Sequence, residues 1–226
     1  MIKTKEEIEK LKYASSLNDK GFQYICQNIK VGMTEKEIAT KLDEYMFSLG
    51  AEGLAFDTIV GSGQNSAQIH SVPTDRKIEE NDIILFDFGY VVDGYCSDMS
   101  RTVFVGNITN KQKEIYDLVY KTQMNAIENI KIGMTAKEAD MLGRKFILDA
   151  GLDYAHSLGH GIGKVVHEDL ILSPKRDTVL QKDMVFTIVP GVYLENEFGV
   201  RIEDVVLLTE NGLVTLSNAS KEIIVI

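Results

Sequence analysis

A ten-residue pattern occurs twice, and it restricts the fold more than any other feature of the chain. IKVGMTEKEI runs from Ile29 to Ile38 and IKIGMTAKEA from Ile130 to Ala139, 101 residues apart in a chain of 226. The same offset separates Gly50 from Gly151, and Asp82-Ile-Ile-Leu-Phe from Asp183-Met-Val-Phe-Thr. Solenoid units repeat every 20–50 residues or so, so this spacing is too long for one. It describes two halves of like architecture related by a pseudo-two-fold. Each copy closes one apolar-periodic stretch, turns at glycine and opens another with Thr-x-x-Glu, the mark of a helix capping box. Thr34 with Glu37 and Thr135 with Glu138 are the repeated pair; Thr4 with Glu7 and Thr109 with Gln112 are two more. These signals predict helices over roughly 5–29, 35–49, 110–130 and 136–150.

β-like runs follow each helix pair. They are FDTIVG, DIILFDFGYVV and YCSDMSRTVFV in the first half, and DMVFTIVPGVYL and VRIEDVVLL in the second. The chain therefore reads as ααββ repeated, an α+β fold. One domain over 1–226 is expected, dividing at about 1–105 and 106–226, with no N-terminal accessory domain. Hydrophobic residues at 44% and charged residues at 26% suit a globular core. The formal charge of -10 repels phosphate backbones and anionic membranes, so neither is an expected partner. The two cysteines, Cys26 and Cys96, exclude a disulfide scaffold and fit a reducing compartment. The N-terminus MIKTKEEIEKLK has no apolar signal region, and no apolar stretch is long enough to span a bilayer. A cytoplasmic location is the expectation.

Three carboxylates sit where carboxylates are costly. Asp87 lies inside IILFDFG, a continuous apolar run that reads as a buried strand. Asp93-Gly94 signals a type I′ hairpin turn. Such a turn pairs Val92 with Tyr95 and Gly89 with Asp98, so Asp87, Gly89 and Asp98 share one face. Asp87 and Asp98 then become diagonal neighbours within reach of a common cation, with Gly89 leaving space above the sheet. The competing reading pairs Asp87 with an arginine such as Arg101. Glu203, embedded in VRIEDVVLL, adds a third carboxylate from the opposite half.

The chain has four histidines, and three of them (His156, His160 and His167) fall in HSLGHGIGKVVHE; the fourth is His70. Gly159, Gly161 and Gly163 argue against a helix there and for close backbone approach. No zincin motif or cysteine zinc motif is present. One imidazole with several carboxylates suits manganese, and less selectively cobalt, iron or zinc.

The segments SGQNSAQIHSVPTDR, LFDFGYVVDGYCSDMSRT, GHGIGKVVHE, FTIVPGVY and VRIED span residues 61 to 204 in a specific order and spacing. On these residues the chain resembles the catalytic domain of the Xaa-Pro aminopeptidase and Xaa-Pro dipeptidase (prolidase) branch of the pita-bread metallopeptidases, relatives of methionine aminopeptidase and creatinase. The resemblance implies two pseudo-symmetric halves with a curved, mainly antiparallel sheet covered by helices. It implies hydrolysis of the Xaa-Pro bond of short peptides by a metal-activated water. Asp87 would bind one metal, Asp98 and Glu203 would bridge two, and His160 would bind the second. His70 and His167 would act as catalytic residues on the scissile carbonyl, with His156 and Arg201 supporting the substrate. The implied cofactor is Mn2+ first, with Co2+, Zn2+ or Fe2+ as alternatives, at one or two ions per chain. A homodimer is a family-level expectation. Retention of the metal cluster argues against metal-free, creatinase-like hydrolysis.

One position departs from the family pattern. The family has a glutamate, a metal ligand that also takes the proton of the attacking water, where this chain has Val189 in FTIVPGVY. The internal repeat shows the same gap, because VPG at 189–191 matches DFG at 87–89. The expectation is no more than about one tightly held ion and a loss of roughly 10²–10⁴-fold in rate. A catalytically weak or inactive relative that binds peptides or proteins is the alternative.

Overall fold

The computed structural model describes all 226 residues. Helices α1 (Lys5–Asn28) and α2 (Glu35–Ser48) lead into β1 (Gly53–Leu54), β2 (Ile59–Ser62) and a 3-10 turn (Gly63–Ala67). Strands β3 (Ile83–Phe88), β4 (Tyr90–Val92), β5 (Tyr95–Cys96) and β6 (Met99–Phe104) complete the first half. The second half opens with α3 (Asn110–Asn129) and α4 (Ala136–Asp149). Strands β7 (Gly159–Gly161), β8 (Glu168–Leu172) and β9 (Val185–Ile188) follow. The half ends with β10 (Gly191–Leu194), β11 (Phe198–Arg201), β12 (Glu203–Thr209) and β13 (Gly212–Thr215).

All four predicted helices form within a residue of their expected bounds, because each carries its own start signal. Thr4, Thr34, Thr109 and Thr135 each accept from the backbone N–H three residues on, and the Glu or Gln at that position reaches back. Two donors that the helix leaves unpaired are satisfied at each start.

The main sheet runs β2-β3-β6-β12-β9-β7-β8, with β13 added on β12. The two halves meet at β6 and β12 through the pairs Glu203↔Ser100 and Asp204↔Met99. Helices α1 and α2 bury Leu17, Phe22, Ile38 and Leu42 against Phe86, Phe88 and Val103 of the first half. In the second half Ala126, Ile130 and Ala139 pack on Leu172, Phe186, Ile188 and Val206. The helices thus cover one face of the sheet and leave its other face for the site.

The hairpin after β4 turns as expected. Asp93 (φ 50°) and Gly94 (φ 73°) both take the left-handed conformation that a type I′ turn requires. Val92 pairs with Tyr95, and the register continues to Asp87↔Ser100 and Phe88↔Met99, which sets Asp98 opposite Gly89. Gly89, however, does not keep open space above the sheet. A Cβ there would run into the Ser97 carbonyl and come within 2.7 Å of the Phe56 ring. The residue is glycine because that volume is filled. Strands β1, β7, β8 and β13 fall outside the β-like runs of the sequence, for they are short and lack clear alternation.

Candidate metal centre

Side chains alternate across a strand, so every second residue of β3, β6, β12 and β9 faces away from the helices. The register aligns Asp87 with Ser100, and Ser100 with Glu203. One residue beyond the last β9 pair, Ile188↔Asp204, Val189 falls opposite Glu203. Asp87, Ser100, Glu203 and Val189 therefore form a row across four strands on one face. Asp98, two residues before Ser100, joins that face.

His160 reaches the row from β7. A Cβ at Gly159 would collide with the Thr187 carbonyl of β9, so glycine alone lets β7 lie this close. The His160 N–H donates to Thr187 Oγ1 at 3.2 Å. Its Nε2 then lies 3.5 Å from Asp98 Oδ2 and 3.8 Å from Glu203 Oε1. The ligand atoms of Asp98, His160 and Glu203 all lie within 4.8 Å of one another.

Such distances would suit an ion pair only with a charged imidazole. Burial, helped by neighbouring His167, instead pushes the His160 pKa down to about 4. Burial, with Asp87 nearby, pushes Glu203 up to about 8. Burial and the charges of Glu203 and Asp87 raise Asp98 well above the ordinary carboxylate range. A neutral imidazole facing two carboxyls that cannot both ionise lacks a positive charge between them. Glu203 Oε1 is also buried without a hydrogen-bond partner. The donor set, one imidazole nitrogen and two carboxylates, fits one divalent cation.

Asp87 stands apart from this trio. Its Oδ2 accepts from Arg201 Nη2 at 2.6 Å, although its Oδ1 has no partner. Arg201, only 3% exposed, also donates to Ser100 Oγ, the Ile69 carbonyl and Tyr193 OH. Ser100 Oγ in turn donates to Glu203 Oε2 at 2.9 Å. The competing pairing of Asp87 with Arg101 fails for a simple reason. Arg101 is odd to Ser100 in the alternation and faces the helices, where it pairs with Asp204 at 2.6 Å. Arg201 was anticipated only beside the substrate; here its guanidinium is turned to Asp87.

A cavity of about 380 Å³ opens over the row. Asp87, Asp98, His160 and Glu203 line it, together with Val189, a residue 8% exposed. His70, His156, His167 and Arg201 line it as well, so every residue anticipated for the site is brought to one place. The His160 and His167 rings lie 4.2 Å apart. His156 Nε2 is 2.9 Å from Tyr193 OH, and burial lowers its pKa. Phe56, Ile59, Ile69 and Val166 give the cavity an apolar side. Sequence reading missed Tyr193 and Ser100; Tyr193 pairs with Gly199, two residues from Arg201, and Ser100 pairs with Glu203 across the β6–β12 seam, so neither follows from local sequence.

The model of metallopeptidase family M24 matches residues 9–210. The chain belongs to this family. Among its relatives is an Xaa-Pro dipeptidase of Pyrococcus furiosus, 45% identical over 226 residues that cover 99% of this chain and 65% of that protein. A solved X-Pro aminopeptidase of Thermotoga maritima superposes with a TM-score of 0.97 at 42% identity, over all of this chain and 65% of that one. The prolidase of Pyrococcus furiosus superposes at 0.95 with 44% identity, over 97% of this chain and 66% of that one. The M24 chain thus has the pita-bread fold that its motifs implied, and it spans about two thirds of the length of these relatives. No helix is long and apolar enough to cross a membrane.

Proposed function

We propose that this M24 chain is a metal-dependent exopeptidase that hydrolyses the Xaa-Pro bond of short peptides. The observation that carries the reading is the trio of Asp98, His160 and Glu203, lining a histidine-rich cavity, with the buried Oε1 of Glu203 left without a hydrogen-bond partner 3.8 Å from His160 Nε2. The similarity to prolidases and an X-Pro aminopeptidase supports the bond type. Asp98, His160 and Glu203 would hold one ion, Mn2+ being the best match to this donor set. Bound there, the ion would supply an activated water and polarise the scissile carbonyl.

The chain's own groups divide the remaining work. His160 stays neutral at pH 7, so its ring nitrogen remains a ligand rather than a competing cation. His70 and His167, at the cavity mouth, hold the scissile carbonyl and the charge that develops on it. His156, fixed by Tyr193, lines the substrate side. Arg201 holds Asp87 and, through Ser100, the outer oxygen of Glu203. The cavity's apolar side accepts a pyrrolidine ring. The free thiols Cys26 and Cys96 support a reducing, cytoplasmic setting.

Val189 weakens this enzyme. Opposite Glu203 the row offers an isopropyl group where a proton acceptor would serve. Loss of a general base costs about 10²–10⁴-fold in rate. The same observation favours a second reading, a peptide-binding relative without turnover.

Proline release from an Xaa-Pro dipeptide with excess Mn2+ separates the two when run beside Val189→Glu. The expected result is slow release by the unaltered chain and a faster variant. Silence in both, with Mn2+ bound, would leave only the binding module.

A further inference from the structure

The back of the metal-bearing strands carries a second buried polar cluster that the reaction does not touch. Its centre is Arg101, 1% exposed. A guanidinium has five N–H donors, and all five are used. Nη1 donates to the carbonyls of Ser100 at 2.9 Å and Glu203 at 2.6 Å. Nη2 donates to Asp204 Oδ1 at 2.6 Å and to the Ala219 carbonyl at 3.1 Å, and Nε to the Ser220 carbonyl at 3.1 Å. Fully buried Asp204 accepts from Gln123 Nε2 at 3.0 Å and pairs with Lys221 at 3.2 Å. Gln123 also donates to the carbonyls of Ile188 and Ile202.

Two of these bonds tie in the C-terminal segment at Ala219 and Ser220, and the other backbone targets lie under the site. Ser100 and Glu203 belong to the row on the opposite face, Ile188 precedes Val189, and Ile202 precedes Glu203. One cluster therefore grips the peptide carbonyls of β6, β9 and β12 beneath the residues that face the cavity. It does so at the seam where β6 and β12 share only the pairs Glu203↔Ser100 and Asp204↔Met99. The outer ladders, Asp87↔Ser100 with β3 and Asp204↔Ile188 with β9, hold each strand within its own half, so with only two backbone pairs at the seam these side-chain bonds carry much of the link that sets Ser100 against Glu203.

We propose that Arg101, Asp204 and Gln123 are positioning residues for the metal centre, fixing the Ser100–Glu203 seam from behind so that Glu203 meets Asp98 and His160 on the front. This rests on the metal-centre reading. Groups that orient metal ligands typically change affinity by about 10–100-fold when lost.

The test measures Mn2+ affinity of the full chain by chelator competition, and the visible spectrum of bound Co2+, for the unaltered chain, Asp204→Asn and Gln123→Met. Each is compared at a temperature where circular dichroism shows the metal-free protein folded. Asp204→Asn should weaken Mn2+ binding about 10–100-fold and alter the Co2+ spectrum, with Gln123→Met at the lower end of that range. A staple with a purely structural role would lower the melting temperature and leave both metal readouts unchanged; that result overturns the proposal. If Asp204→Asn does not fold, Gln123→Met decides by the same criteria. An unaltered chain that binds neither ion would bring down the metal-centre reading and this proposal together, whereas tight binding in all three would remove only the positioning role.

Discussion

The first half of the chain brings Asp87 and Asp98 to the cavity; the second brings His160 and Glu203 and, where the first has Asp87, Val189. The halves are otherwise close copies. Helices α2 and α4 are each 14 residues long and begin with the same capping box, and the paired strands β3/β6 and β9/β12 run antiparallel in both. The difference that bears on the metal lies on the cavity face of the sheet. Fold-determining groups lie in the helix starts and the core-facing positions, where both halves solve the same packing problem. Residues that face the cavity carry no such obligation, so one half can hold a carboxylate where the other holds an isopropyl group.

Removing a ligand should expose this asymmetry most strongly. His160→Ala is expected to weaken Mn2+ binding by more than about 100-fold, beyond the range seen for residues that merely orient ligands. Asp87→Asn should cost less than about tenfold, because Asp87 is already occupied by Arg201. Equal losses, measured by chelator competition, would place Asp87 among the primary ligands and contradict the one-ion reading. Next in size, Val189→Glu should raise bound Mn2+ from about one to two per chain by elemental analysis, since it restores a carboxylate in the row. Two tightly held ions in the unaltered chain would remove Val189 as the cause of any weakness.

The metal-free site should also shape stability with pH. Glu203 is pushed up to about 8, so between its ordinary value of 4.5 and pH 8 the folded chain holds a proton that the unfolded chain has released. Stability therefore falls as pH rises through that window. His160, lowered from 6.5 to about 4, acts in the opposite sense below pH 6.5, where the unfolded chain binds the extra proton. The two effects oppose one another up to pH 6.5, and above it Glu203 acts without that opposition. Urea unfolding of metal-free protein should lose up to about 2 kcal/mol between pH 6.5 and 8. Saturating Mn2+ should reverse the trend, because binding expels the proton. A flat profile without metal would mean that Glu203 ionises normally and needs no cation.

Much of this was legible from residues. Capping boxes located the helices because a Thr and a Glu three apart satisfy local donors whatever lies around them. Asp93-Gly94 set the hairpin register because few other residue pairs tolerate its backbone, and period two then put Asp98 beside Asp87. The glycines around His160 signalled close approach, but not against which strand. Non-local pairings stayed hidden: Arg201 rather than Arg101 reaching Asp87, the Phe56 ring filling the space over Gly89, and the cluster around Asp204. The two arginine pairings depend on which strands meet at the seam, and the Phe56 contact on how the loop before β2 folds over β3; one sequence encodes neither locally.

The smallest effect tests the likeness of the halves rather than their difference. Thr34 accepts from the Glu37 N–H at 3.1 Å and Thr135 from the Glu138 N–H at 3.2 Å, and both glutamates return a 2.7 Å bond to the threonine N–H. Loss of such a cap costs about 1 kcal/mol. Thr34→Ala and Thr135→Ala should therefore shift the urea midpoint by similar amounts. The next residue supplies a contrast. Glu35, fully buried, accepts from the backbone and hydroxyl of Ser62 and of Thr74 and from Asn65, whereas its counterpart Ala136 makes no side-chain hydrogen bond. If Thr34→Ala proves much the costlier cap, the α2 start must be transmitting strain into the Glu35 network. The helix starts would then be no more interchangeable than the ligands, and divergence would reach beyond the cavity face into the scaffold.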